Sequence, residues 1–202
     1  TYRFKEPIYE VKYNESNNRI EDNEYDENRK LIRTSKYSYD IYGNMIENRY
    51  ESNYISKLTG NKIGKKYTSK WKYDNHGRCI WYYRGDIEET VEIIYDDNDR
   101  RIEERINSDL LFDKIVKIIY DNNGNKIEVS VIYDLSDTIK YQYEYDKFGN
   151  MIKEVSLSED AINPHIITYK YIYDNKMNWI SQSAYEDNIL KYTNEREIEY
   201  YE

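Results

Sequence analysis

The sequence predicts an all-β protein: a repeat array of about nine antiparallel β-hairpins that form one long, twisted and curled sheet, as a spiral or a partly closed barrel. Three observations predict this fold. One short motif recurs nine times, 26 of the 202 residues are tyrosine, and aromatic or aliphatic residues alternate with polar ones. Alternation with a period of two is typical of strands that pack on one face.

The composition favours strands over helices. Charged residues make up 34% of the chain and the mean hydropathy is -1.05, values that approach those of disordered proteins. Tyrosine, isoleucine, valine and tryptophan fit a pleated, half-buried surface, whereas the helix formers that fill bundle cores are scarce. No shift in composition marks a linker, so we expect a single repeat domain over residues 1–202.

The motif is the octet Tyr-Asp-x-x-Gly-Asn-x-Ile. Four close copies begin at Tyr39, Tyr73, Tyr120 and Tyr145, and five weaker copies begin at Tyr13, Tyr25, Ser56, Tyr95 and Tyr173. All nine copies end in isoleucine. Self-similarity of this kind is the signature of a repeat architecture.

Each octet predicts a tight hairpin turn with a bulge. The aspartate hydrogen-bonds to the nearby backbone, and the glycine three residues later accepts a positive φ. The structural turn residues predicted in the close copies are Asp40, Gly43, Asp74, Gly77, Asp121, Gly124, Asp146 and Gly149. Gly60 has the same position in the copy at Ser56, while Arg29 and Met177 fit this position badly, so we expect their turns to be distorted.

The spacing of the copies predicts the size of the sheet. Successive copies start 12, 14, 17, 17, 22, 25, 25 and 28 residues apart. If each copy closes one hairpin, the array has up to about eighteen strands, and the variable segments lie at the edge opposite the motif turns. Variation at that edge suggests a binding surface. Residues 195–201 alternate charges with Ile198 and Tyr200, which predicts a closing edge strand.

The repeated Tyr-Asp-x-x-Gly-Asn octets with flanking tyrosines resemble the YD or RHS repeat family. The resemblance covers nearly the whole chain. It implies repeats that wind into a hollow β shell around a toxic C-terminal segment in large members, secretion or a bacterial surface location, and carbohydrate binding. This chain is similar to a small stand-alone repeat protein of that kind, which we expect to be secreted or in the cell envelope.

Several function classes are disfavoured. The net charge of -9 opposes nucleic-acid binding, and no apolar stretch is long enough for membrane insertion. The single cysteine, Cys79, excludes an internal disulfide, and two histidines, His76 and His165, are too few for most metal or triad sites. We therefore expect no catalytic residues, no metal, no cofactor and no enzyme activity. A Cys79–His76 pair and a carboxylate pair in a tyrosine-lined cleft stay open as alternatives.

The candidate ligand-binding residues are Trp71, Trp81, Tyr83 and Trp179, because aromatic rings on a β surface can stack on sugars or peptides. A sheet packed on both sides is the alternative explanation. We expect a non-catalytic bacterial surface or secreted scaffold that binds a protein or a glycan. The alternatives are a component of a toxin delivery or immunity system, and a carbohydrate-active enzyme. Edge-to-edge self-association is a further expected interaction.

Overall fold

The computed structural model describes residues 8–55, 62–109, 112–134, 137–159 and 161–200. These residues contain fifteen β-strands and no helix. The strands are β1 (Ile8–Tyr13), β2 (Arg19–Tyr25), β3 (Leu31–Tyr39), β4 (Met45–Ile55), β5 (Lys62–Tyr73), β6 (Cys79–Arg84), β7 (Glu89–Tyr95), β8 (Arg101–Ser108), β9 (Lys114–Tyr120), β10 (Lys126–Tyr133), β11 (Thr138–Tyr145), β12 (Met151–Ser158), β13 (His165–Tyr173), β14 (Trp179–Glu186) and β15 (Ile189–Glu195). In this part of the chain no helix is long and apolar enough to cross a membrane.

The strands follow one another in a single sheet, in which neighbours in the chain are hydrogen-bonded neighbours in space and β1 and β15 are the end strands. Every pair with a described register is antiparallel. The predicted all-β sheet of antiparallel hairpins is therefore confirmed. Its curl stays a prediction.

The chain divides into two compact units. The first is Thr1–Ile94 with Arg105–Phe112, and the second is Tyr95–Glu104 with Asp113–Glu202. The first unit holds β1 to β6, and the second holds β9 to β15. The expectation of one domain over residues 1–202 stays a prediction.

The strand count corrects the interpretation of the spacing. Seven copies of the motif join an odd-numbered strand to the next even one, whereas the copy at Tyr25 joins β2 to β3 and thus lies at the other edge. The copy at Ser56 falls between β4 and β5, and its turn, with Gly60, lies outside the described residues. Spacings of 12 to 17 residues therefore correspond to one strand and spacings of 22 to 28 to two, which gives fifteen strands rather than eighteen.

Packing occurs mainly within the sheet. Among the described residues, the only buried apolar side chains are Val91, Ile93 and Ala184. The chain exposes 15304 Å², whereas a compact protein of its mass exposes roughly 10,000 Å². Neighbouring strands supply the contacts instead: the Tyr50 and Tyr67 rings, cross-strand partners on β4 and β5, stack with centroids 4.7 Å apart.

The C-terminal edge differs from the prediction. The last strand, β15, ends at Glu195, and residues 196–200 are not strand, so the expected strand over 195–201 is wrong. The strand begins after a two-residue turn at Asp187 and Asn188, both with positive φ. Two consecutive positive φ values are typical of the hairpin turn that matches the twist of the strands.

Candidate functional site

The motif turns share one hydrogen-bond pattern, which residues 121–125 illustrate. The Oδ1 atom of Asp121 accepts hydrogen bonds from the backbone N–H groups of Asn123 at 2.9 Å and Asn125 at 2.8 Å, and Oδ2 accepts one from the Asn125 amide. The N–H of Gly124 donates to the Asp121 carbonyl at 3.1 Å, and a bulge follows in β10. The Asn125 amide, helped by the backbone donors, lowers the pKa of Asp121. The same backbone contacts are made by Asp40, Asp74 and Asp146.

In every motif turn that the structure describes, the fourth residue has a positive φ. It is 79° to 87° at Gly43, Gly77, Gly124 and Gly149. Arg29 and Met177 adopt the same conformation, with φ of 61° and 64°. Their N–H groups donate to the carbonyls of Asp26 at 2.9 Å and Asp174 at 3.2 Å, so the expectation that these two turns are distorted is wrong. The hydrogen bonds outweigh the strain of a side chain in the left-handed region.

Tyrosine hydroxyls link successive hairpins through backbone carbonyls. Each of these tyrosines lies near the end of an odd-numbered strand, and each acceptor is the first residue after an earlier motif turn. These bonds, which we call the hydroxyl ties, run from Tyr39 to Arg19 (2.7 Å), Tyr73 to Met45 (3.0 Å), Tyr120 to Arg101 (3.0 Å), Tyr145 to Lys126 (2.8 Å) and Tyr171 to Met151 (2.9 Å). No motif in the sequence predicts the ties. Their signal is the ratio of 26 tyrosines to 3 phenylalanines, since packing alone does not require a hydroxyl.

Two further tyrosines bind the aspartates of the preceding motif turns. The Tyr173 hydroxyl donates to Asp146 Oδ2 and accepts from the Asn150 amide at 2.9 Å. Burial, and then the hydrogen bond to Asp146, raise the pKa of Tyr173 to about 12. Tyr200 repeats the arrangement one turn later, where it donates to Asp174. Residues 196–200 therefore hold the last motif turn although they form no strand.

Within each unit the strand register places several tyrosines on one face of the sheet, which we call the tyrosine face of that unit. In the first unit it includes Tyr37, Tyr50, Tyr67, Trp71 and Tyr73, and in the second unit Tyr141, Tyr143, Tyr145, Tyr169, Tyr171 and Tyr173. All of these side chains are half-buried. Polar groups lie among them, as Glu154 does between its cross-strand partners Tyr143 and Ile167.

The predicted ligand-binding aromatics do not form one cluster. Trp71 lies on the tyrosine face as the cross-strand partner of Tyr82, whereas Trp81 and Tyr83 lie on the opposite face beside Lys72 and Lys70. The Lys72 ammonium lies 4.5 Å from the centroid of the Trp81 ring. Trp81 and Tyr83 are half-buried rather than open to solvent.

Trp179 belongs to the second unit and lies near its C-terminal end. The Arg196 guanidinium stacks 3.8 Å from the centroid of its ring, and the ring centroids of Trp179 and Tyr171 lie 6.3 Å apart in an edge-to-face arrangement. A concavity of about 490 Å³ next to it is lined by Asp174, Asn175, Ile180, Glu195, Arg196, Glu197, Ile198 and Tyr200. Arg196 already covers the indole, so this face of the ring is occupied by the protein itself.

Each residue considered for catalysis contacts a different group in the described structure. The Cys79 thiol donates to the Trp81 carbonyl at 3.5 Å. His76 lies in a motif turn, where its backbone N–H donates to Asp74. His165 contacts Glu186 on the neighbouring β14. No group of three His, Cys, Asp or Glu side chains that could hold a metal ion occurs among the described residues.

The fold resembles a part of a much larger toxin chain. A chain in the structure of the Photorhabdus luminescens Tc holotoxin pore aligns with a TM-score of 0.62 and 14% identity, over 93% of this chain and 9% of that one. At this identity the likeness shows the fold alone. A chain in the crystal structure of TcdB2-TccC3-TEV aligns with 11% identity over 94% of this chain and 14% of that one, but its TM-score of 0.35 carries no argument.

No protein-family model and no curated protein matches the chain. Membership of the YD repeat family therefore stays a prediction from the octets. The chain spans only 9% and 14% of the two solved chains to which it is similar.

Proposed function

We propose that this chain is a non-catalytic wall segment of a toxin-delivery assembly and that its tyrosine face contacts a polypeptide partner. The likeness to a part of a Tc holotoxin chain supports the assembly, and the tyrosine face supports the contact. Delivery of a toxin takes place outside the producing cell, so the proposal includes secretion.

The tyrosine face is the observation that carries the proposal. Its rings are half-buried along rows of strands, so they offer apolar surface that is already held in place by cross-strand packing. Burial, and then the Glu154 carboxylate, raise the pKa of Tyr143 and of Tyr169. A tyrosine hydroxyl is a protonated hydrogen-bond donor at neutral pH even with its ordinary pKa, and such donors suit the peptide groups of a chain that has no structure of its own.

Binding of an unfolded polypeptide tests the proposal. The probe is fluorescein-labelled α-lactalbumin that has been reduced and carboxymethylated, which keeps it unfolded. Native α-lactalbumin with the same label is the comparison. We expect fluorescence anisotropy to report binding of the unfolded probe only. Tyr169→Ser should weaken binding several-fold, because it removes a ring from the tyrosine face. The matched control is Tyr185→Ser, a half-buried tyrosine on the opposite face of the same hairpin.

Circular dichroism of both variants separates loss of binding from loss of folding. Equal binding of the native and unfolded probes, or equal weakening by both substitutions, would contradict the proposal. A glycan array tests the carbohydrate alternative with Trp81→Ala, which changes the opposite face. If the wild-type protein is retained on a glycan and Trp81→Ala is not, the partner is a sugar rather than a polypeptide.

A further inference from the structure

One side of the β1 backbone carries hydrogen-bonding groups that pair with no other strand among the described residues. The N–H of Asn14 donates to the Asn18 carbonyl at 2.9 Å, so the backbone of Asn14 faces β2. Because backbone groups alternate in direction along a strand, the N–H and C=O groups of Tyr13, Val11 and Tyr9 point to the other side. Within the described residues, no strand pairs with β1 on that side.

The side chains of the same three residues are unusually accessible. Tyr9 is 59% exposed, Val11 41% and Tyr13 57%, whereas the tyrosines of the tyrosine face are half-buried between two neighbouring strands. An edge with free backbone groups and exposed aromatic and β-branched residues is a template for another strand. Tyr9, Val11 and Tyr13 carry no charge that would oppose pairing with another strand.

We propose that β1 pairs with β1 of a second copy of this chain, in an antiparallel register centred on Val11. In this register Val11 faces its own equivalent, and Tyr9 lies opposite the partner's Tyr13. The three residues with outward backbone groups then face one another, so the ladder continues across the two copies. The interface is two-fold symmetric, with the same strand on both sides.

The charges on the other face of β1 select this register. Along β1, Glu10 and Lys12 alternate with Tyr9, Val11 and Tyr13. A register centred on Val11 sets Glu10 of each copy opposite Lys12 of the other, on both sides of the two-fold axis. Centring on residue 10 would set two glutamates opposite each other, and centring on residue 12 would do the same with two lysines. Like charges directly opposite are destabilising in a sheet. The sequence of β1 is thus complementary to itself in one register and disfavours the neighbouring two.

The contacts within the chain leave this pairing possible. Lys12 binds Glu21 at 2.7 Å, and Glu10 accepts a hydrogen bond from the Tyr25 hydroxyl at 3.1 Å, both on β2. Each charge is exposed enough to meet a second partner, as the Lys12 side chain, 59% exposed, illustrates. The inference does not depend on the proposed function, because it concerns the end of the sheet and not the tyrosine face.

Sedimentation equilibrium of the full chain tests the proposal. We expect a concentration-dependent dimer, which Val11→Pro abolishes because proline lacks the N–H at the centre of the interface. That N–H points away from β2, so the β1–β2 ladder is retained, which circular dichroism checks. Val11→Thr is the control, since it keeps both the N–H and the β-branched shape and should still dimerise. A wild-type chain that is monomeric up to about 1 mM overturns the proposal.

Exchanged charges test the register independently. Glu10→Lys and Lys12→Glu should each weaken self-association at least about tenfold, because both cross-strand pairs become repulsive. An equimolar mixture of the two variants should restore the dimer, since every pair in the mixed dimer is again of opposite charge. Dimers that persist in each variant alone, or a mixture that stays monomeric, would overturn the Val11-centred register.

Discussion

At the scale of single residues, the hydroxyl gives the tyrosines of this sheet hydrogen bonds that phenylalanine cannot form, in a chain with 26 tyrosines and 3 phenylalanines. A ring covers the neighbouring strand whether or not it carries a hydroxyl. The hydroxyl ties add a hydrogen bond from one hairpin to the backbone of an earlier one, as from Tyr145 to Lys126. A sheet with few fully buried residues thus gains contacts that do not depend on a second layer.

Removal of one hydroxyl measures the contribution of a tie. We predict that Tyr145→Phe lowers the free energy of unfolding by about 0.5–1.5 kcal/mol, the usual net contribution of a hydrogen bond. Urea denaturation followed by circular dichroism gives the value. The control is Tyr141→Phe on the same strand and face, since no hydrogen bond of the Tyr141 hydroxyl is found among the described residues. Equal losses in the two variants would assign the effect to packing instead.

At the scale of elements, the motif turn is held more by its aspartate than by its glycine. The turn with Met177 in the fourth position keeps the 2.9 Å bond from the Asp174 N–H to the Asn178 carbonyl. Asp174 Oδ1 also accepts from the Asn178 N–H at 2.9 Å, as in turns with glycine. Glycine lowers the energy of the left-handed residue but does not decide whether the turn forms.

A gain of stability is the expected result of Met177→Gly. The residue has a φ of 64°, which costs a non-glycine residue about 1 kcal/mol. Replacement by glycine removes this strain, but glycine also has greater backbone entropy in the unfolded chain, which offsets part of the gain. We therefore predict up to about 1 kcal/mol of added stability in urea denaturation. Lys176→Gly, one position earlier and without a positive φ, should destabilise the protein. A loss in both variants would show that Met177 contributes packing that outweighs its strain.

The octets predicted the strand type, the turn positions and the hairpin connections because each of these depends on neighbouring residues. Periodicity placed the tyrosines of β11 and β13 on one face, and the register agrees. The edge at which a copy lies depends instead on how many strands separate two copies. If spacing is taken as the length of one hairpin, it predicts the wrong edge for the copy at Tyr25, which joins β2 to β3. The ties were missed because a bond from Tyr120 to Arg101 spans 19 residues and leaves no local pattern.

At the scale of the whole molecule, stability is a sum of local contacts. Each described strand contacts mainly the strands next to it in the chain, as in other repeat proteins. No central core couples distant hairpins, since the only buried apolar residues described are two on β7 and one on β14. A substitution that destabilises one hairpin should therefore affect mainly that hairpin and its neighbours. Opening of the sheet should begin at the end strands β1 and β15.

Amide hydrogen exchange of the wild type and of Tyr145→Phe tests this expectation. The substitution removes a bond between β11 and β10, so exchange should accelerate in β9 to β12 and stay unchanged in β2 to β4. Because opening reaches an amide through its nearest hairpins, the size of the effect should fall with each strand away from β11. Exchange that accelerates equally in every strand would require all fifteen to open together, and the description of this sheet as a sum of neighbouring hairpins would then fail.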